Sequence, residues 1–210
     1  RVRSWRLAFL TATLLLAVAL TFVTEFWGLG YWKNVPWLPV FWLSGILVVV
    51  GTAVRSGRLS QKAEDFSARC LAAATSAPIY LTLPLLALFV VLAVTAFQAA
   101  PNNYDAMTYR LPRVFHWIQE SSLALFATSI VRQIQNQPWS EYVMVNAQIL
   151  LGTEGTFNWI QTGAWIGVGV VMSLIHRELL PQGRGGWFAV IFAATLPMAV
   201  LQASGVQMDL

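Results

Sequence analysis

The chain has 210 residues, of which 57% are hydrophobic and only 10% charged, and it carries a formal net charge of +4. An ordinary soluble domain has about 25% charged residues, so this composition excludes that class and points to a polytopic membrane protein. The basic residues fall in short clusters between apolar runs rather than in one patch, which excludes a nucleic-acid surface and matches the positive-inside distribution. The one cysteine, Cys70, rules out an internal disulfide and a thiolate zinc cluster.

A helix needs about 20 apolar residues to cross the hydrocarbon core of a bilayer. Five runs meet or nearly meet that length: Leu7 to Phe26, Trp37 to Val54, Ala77 to Ala100, Phe157 to Ile175 and Trp187 to Val206. Arg1, Arg3 and Arg6 precede the first run as they would in a signal peptide. That run is long for an h-region and is followed by Glu25-Phe26-Trp27 rather than a small-residue cleavage site, so a retained membrane helix is expected. Because the sequence starts at Arg1 and stops at Leu210 directly after an apolar run, it reads as part of a longer protein.

The expected fold is all-α: a transmembrane bundle of about five spans, with interfacial helices in a long outer loop over 101–156. Residues 1–76 form an N-terminal pair of spans with a basic loop, and 77–210 form the remaining core.

The loops orient these spans. With the N-terminus in the cytoplasm, the inner segments hold Arg1, Arg3, Arg6, Arg55, Arg58, Lys62, Arg69, Arg177 and Arg184, nine of the thirteen Lys and Arg. The outer segments hold Lys33, Arg110, Arg113 and Arg132. The opposite orientation would place the basic excess outside, against the rule. The loop 101–156 and the tail Gln207-Met208-Asp209 then share the extracytoplasmic face of a cytoplasmic membrane, bringing Asp105 and Asp209 to one side.

Other features have structural explanations. Trp27, Trp32, Trp37, Trp139 and Trp159 suit an aromatic belt at headgroup level. Pro84 should kink the third span or be tolerated by its neighbours. Gly163-x-x-x-Gly167, followed by Gly169, is a small-residue pattern suited to close helix approach.

The outer loop is too long for a simple connector, and its recurring aromatic and aliphatic residues argue for order. Two amphipathic stretches are expected. The first runs from about Pro112 to Glu120, with Pro112 in the first turn, Val114, Trp117 and Ile118 on an apolar side, and Arg113, His116 and Glu120 along the other. The second runs from about Ser140 to Leu151, with Ser140 as its N-cap. Such helices lie in the interface plane.

Within the loop, Asp105 fits either a general base or a cap, because Asn102, Asn103 and Asp105 all favour turns. Arg110 and Arg113 suit a phosphate group or anionic lipid headgroups. His116 and Glu120 stand at i, i+4 and can pair along a helix. Glu141 reads as a first-turn acid complementing a helix dipole. Glu154 precedes the fourth span, and Glu25 lies at the outer end of the first, outside the candidate site. His176, beside Arg177 and Glu178, reads as a solvated inner-loop residue. No Gly-rich phosphate loop, zinc-ligand spacing or nucleophile elbow occurs.

The string Tyr104-Asp105-Ala106-Met107-Thr108-Tyr109-Arg110-Leu111-Pro112-Arg113-Val114-Phe115-His116-Trp117 resembles the first outer loop of bacterial GT-C glycosyltransferases related to protein mannosyltransferases and aminoarabinose transferases. Ser204-Gly205-Val206-Gln207-Met208-Asp209-Leu210 is similar to a later loop motif of that superfamily. The resemblance covers roughly Ala77 to Leu210. It implies catalytic roles for Asp105 and Asp209, and substrate contacts by Tyr109, Arg110, Arg113 and His116. The implied donor is a polyprenyl-phosphate sugar, and the acceptor is a hydroxyl of a lipid, glycan or protein. A divalent metal is left open, since the sequence indicates none. Two spans precede the first acid where the superfamily commonly has one, and Ala106 stands where a second acid is often found; both mark a divergent subgroup. A lipid-linked-sugar transporter would need charged groups at mid-membrane depth, whereas the spans offer only Gln161, Thr162 and Ser173. A non-catalytic membrane scaffold is the other alternative.

Overall fold

The computed structural model describes residues 5–28, 37–55, 78–180 and 185–206. Among the described residues the chain is helical and has no strand: α1 (Trp5–Gly28), α2 (Trp37–Arg55), α3 (Ile79–Gln98), a π-helical turn (Ala106–Arg110), α4 (Leu111–Glu120), α5 (Arg132–Gln135), α6 (Trp139–Leu151), a 3-10 turn (Glu154–Thr156), α7 (Trp159–Leu179), α8 (Gly186–Ala194) and α9 (Pro197–Gln202). The chain divides into two compact units, 1–33 with 85–210, and 34–84. Helix α1 thus belongs with the segments that follow residue 85, whereas the sequence grouped it with the second span.

Four helices are long and apolar enough to cross a membrane: Trp5–Phe26, Trp37–Arg55, Ile79–Gln98, and Glu154–Leu179, which takes in the 3-10 turn. At about 1.5 Å per residue, roughly 20 residues match a hydrocarbon core of about 30 Å. Most of their apolar side chains remain exposed, among them Leu14, Leu15 and Phe22 on α1 and Val48, Val49 and Val50 on α2. Within 34–84, α2 is apolar around its whole circumference, and of its side chains Leu38 is buried. Pro84 sits inside α3 without ending it.

The fifth apolar run does not form one helix. It is divided between α8 and α9 at Thr195 and Leu196, and Leu196 adopts φ −55°, ψ 127°. Pro197 explains this: its ring drives the preceding residue out of the α region, while the proline itself starts the next helix comfortably. The carbonyl of Ala194, left without a helical donor, accepts a 3.0 Å hydrogen bond from Trp165 Nε1. Counting apolar residues could not reveal the break, because hydropathy does not register this backbone clash.

The outer loop forms the main apolar core of the larger unit. Ala106, Leu111, Val114, Trp117, Tyr142, Met144, Val145, Phe157 and Val206 form one buried cluster, with Leu20 of α1 and Leu123 packed against it. A smaller cluster joins Leu92, Trp165, Ala194, Ala199 and Ala203. The small-residue pattern contributes differently from expectation: a Cβ at Gly163 or Gly167 meets nothing within 4 Å, and only Gly169 approaches α8, with Val190 Cγ1 3.6 Å away. Both loop helices end with a residue at positive φ, Ser121 (51°) and Gly152 (67°). Gly152 is the usual left-handed helix terminator, with its N–H bonded to Gln148 O.

Phe157 is fully buried in the loop core. Phe157→Ala is expected to cost about 3–5 kcal/mol, the usual range for emptying an aromatic core site, measured by denaturant or thermal unfolding in detergent micelles. A loss below about 1 kcal/mol would show that the loop is not the core of this unit.

Candidate functional site

The site is built on the π-helical turn that follows Pro101. Asn103 opens it by accepting the Ala106 N–H at 2.7 Å through its side-chain oxygen. Asn103 is therefore the cap. Asp105, in the N-cap position of the π turn, makes no side-chain capping bond, so its carboxylate is not used by the backbone. Leu111 N–H reaches back to Ala106 O, the i→i+5 closure of a π turn, a feature frequent at functional sites.

Asp105 is about a quarter exposed, and its Oδ1 lies 3.9 Å from Nη1 of Arg132, whose side chain is 63% exposed. The guanidinium carbon of Arg110 lies 5.1 Å from the centroid of the buried Tyr109 ring, and the charges of Asp105 and Arg110 both act on the Tyr109 phenol. Burial raises the Tyr109 pKa, and the neighbouring Asp105 adds to this while Arg110 opposes it. The phenol thus remains protonated across the physiological range.

Beyond Tyr109 lies a buried charged group. Arg110 Nη1 donates to Ser140 Oγ at 3.1 Å, and the same nitrogen is 3.5 Å from Glu141 Oε1. Arg113 Nη1 is also 3.5 Å from Glu141 Oε1. Ser140 donates its hydroxyl proton to the other oxygen of Glu141. Glu141 is fully buried, and both arginines are more than nine-tenths buried. Arg110 Nε has no hydrogen-bond acceptor. Two guanidinium charges and one carboxylate leave this group at +1.

Arg113 is committed to the protein's own backbone. Its Nε donates to Gln133 O, Nη1 to Asn136 O at 2.9 Å and Nη2 to Arg132 O at 2.9 Å. Its guanidinium sits over the Trp117 ring at 5.5 Å. Burial lowers the Arg113 pKa, an effect that Glu141 opposes. The expected polar placement of Arg113 is thereby corrected. Arg110, Arg113, Val114 and Trp117 share the i, i+3, i+4, i+7 stripe that faces the core, and Arg113 belongs to that stripe. His116, expected to pair with Glu120, packs its ring on Phe126 with centroids 3.8 Å apart.

Helix α6 links this group to α1. Ser140 lies inside the helix instead of capping it, since α6 starts at Trp139. One residue after Glu141, the Tyr142 hydroxyl donates to Glu25 of α1, and Asn146 Nδ2 donates to Thr24 Oγ1 at 2.8 Å. Burial raises the Tyr142 pKa, and the Glu25 carboxylate raises it further by accepting the phenolic proton and disfavouring a phenolate. Neither the contact of Glu25 nor the buried pairing of Glu141 was legible from local spacing, which places Glu141 only against a helix dipole. The available signal was charge matching: two arginines on an apolar stripe require a buried acid.

Asp209 lies outside the described residues. The last described residue before it, Val206, is fully buried in the cluster that contains Ala106, next to Asp105. Among the described residues, no group of three or more His, Cys, Asp or Glu side chains is arranged to hold a metal ion.

Glu141→Gln leaves two buried guanidinium groups facing a neutral amide and is expected to cost about 3–5 kcal/mol. The double variant Glu141→Gln/Arg110→Gln should recover part of that loss, because it restores the original charge sum; thermal unfolding of both variants checks the order. For Tyr142, the folded-state pKa lies above the ordinary value of 10.0. Its stabilising contribution is therefore complete below about pH 10 and is lost only as pH rises through the folded value. The ultraviolet difference spectrum between the wild type and Tyr142→Phe should show no phenolate from Tyr142 at about pH 10; half-ionisation there would contradict the Glu25 contact. Comparison with protein-family models, with curated proteins and with solved structures finds no match to this chain.

Proposed function

We propose that the chain is the membrane core of a glycosyltransferase, which moves a sugar from a polyprenyl-phosphate donor to an acceptor hydroxyl on the extracytoplasmic face of a cytoplasmic membrane. The observation that carries the reading is Asp105: a carboxylate that makes no capping bond because Asn103 caps the turn, partly exposed, with Arg132 Nη1 3.9 Å away. Four apolar helices long enough to span a bilayer support the membrane setting, and the basic bias of the remaining loops supports the orientation. The five-span count of the sequence reading belongs to this proposal, with α8 and α9 together as a broken fifth span.

In the proposed step, Asp105 accepts the acceptor's hydroxyl proton as that oxygen bonds to the anomeric carbon. The bond from the anomeric carbon to the phosphate oxygen breaks, and its electron pair leaves with the lipid phosphate. Proton removal by a positioned base contributes about 10²–10⁴-fold. Arg113 is occupied by three backbone carbonyls, so charge stabilisation of the phosphate falls to Arg132, exposed beside Asp105, and to Arg110, whose Nε has no acceptor. Tyr109, near Asp105, is a substrate contact of the proposal, and Asp209 is its second acid. The fully buried Val206, in the same cluster as Ala106, supports pairing the two acid-bearing segments.

Asp105→Asn in the full-length protein is expected to lower sugar transfer from a polyprenyl-phosphate donor by about 10²–10⁴-fold while leaving thermal unfolding unchanged. Undiminished transfer by this variant would remove Asp105 from the reaction.

A further inference from the structure

Helix α7 carries a stripe of donors that serves three other helices. Asn158, Thr162 and Trp165 stand at i, i+4 and i+7, on one face of the helix. Each donates to the backbone at the C-terminal end of a different helix, where carbonyls lack a helical partner. Asn158 Nδ2 reaches Ala99 O, just past α3, at 2.7 Å. Thr162 Oγ1 reaches Ala203 O, just past α9, at 2.7 Å. Trp165 Nε1 reaches Ala194 O at the end of α8. All three donor side chains are buried, as are the acceptor residues Ala194 and Ala203.

Two of these contacts sit at meaningful places in the chain. Ala99 begins the connection from α3 to the π turn with Asp105, and Ala203 begins the stretch that leads to Asp209. Asn158 itself follows Phe157, which is locked in the loop core. Neighbours at i and i+4 have Cβ atoms about 5–6 Å apart on the helix surface, so one rigid turn grips both acid-bearing segments at their roots.

We infer that Asn158 and Thr162 are positioning residues: Asn158 holds the end of α3 at the root of the Asp105 segment, and Thr162 holds Ala203, where the stretch toward Asp209 begins. This rests on the reading of those two acids as the reacting pair. The residues touch no reacting atom; they act through Ala99 and Ala203. Thr162, which the sequence offered only as an uncharged polar group within a span, thus has a structural use.

The test is Thr162→Val, nearly isosteric but without the donor, with Thr162→Ser as the rescue that keeps it. In a Cys70→Ser background, nitroxide labels at positions 102 and 204 report the separation of the two segments by pulsed electron resonance in nanodiscs of the full-length protein. The expected result is a broadened distance distribution in Thr162→Val and the wild-type distribution in Thr162→Ser. Transfer kinetics should show kcat reduced about tenfold or more, since misplacement by about 1 Å can cost about 10²-fold. KM should stay within about twofold, the pattern of an interaction that matters in the transition state. An unchanged distribution in Thr162→Val overturns the inference, and so does a broadened distribution with unchanged kcat. Should the wild type transfer no sugar, the glycosyltransferase reading fails, and the label distances alone decide whether the clamp exists.

Discussion

Glu141, fully buried and shared by Arg110 and Arg113, is the constraint on which the larger unit depends. Removing a charge from water is expensive, and a buried ion pair recovers that cost only when the remaining polar atoms find partners. Here Arg113 and one oxygen of Glu141 find theirs, while Arg110 Nε and Glu141 Oε1 make no hydrogen bond. Ser140 bridges Arg110 and Glu141, and three backbone carbonyls between residues 132 and 136 take the protons of Arg113. One carboxylate therefore ties α4 to α6 and, through Arg113, fastens the irregular segment before α6. Without it, the loop core would still be apolar, but nothing would specify how its helices register against one another.

The consequence for function lies at the edge of this buried group. Arg110 and Tyr109 close the π turn that begins after Asp105, the acid that remains partly exposed. Asn103 has already satisfied the turn's capping need, which removes the commonest structural reason for an aspartate in that position. The carboxylate is thus held from behind by a rigid core and open in front, as a positioned group should be. From the other side, the Tyr142 contact with Glu25 and the Asn146 contact with Thr24 fasten α6 to the end of α1. An apolar helix long enough to cross a membrane is therefore joined by side-chain hydrogen bonds to the loop that carries Asp105.

Prolines illustrate how far local sequence reaches. Pro84 lies inside an unbroken α3, while Pro197 separates α8 from α9. The residue before Pro197 takes an extended conformation, and the Trp165 indole receives a carbonyl stranded at the break. Whether a proline interrupts an apolar run depends on whether a neighbour can satisfy the freed carbonyls, and that neighbour is dozens of residues away.

Composition and periodicity located the four long apolar helices, together with a fifth run that proves broken, and the two amphipathic loop helices, because these follow from local chain chemistry: hydropathy and helical spacing. The assignments that needed partners were beyond them. Arg113 fits two helical stripes equally well, and only the tertiary packing of α4 on α6 selects the buried one. Glu141 looks like any first-turn acid until two guanidinium groups arrive from another helix. Asn158 and Thr162 appear as isolated polar residues in an apolar run, and become clamps only when the ends of α3 and α9 meet α7. The sequence by itself determined which segments are helical and apolar. Tertiary structure decided which polar groups meet, because a buried charge or hydrogen bond takes its meaning from a partner that is distant along the chain.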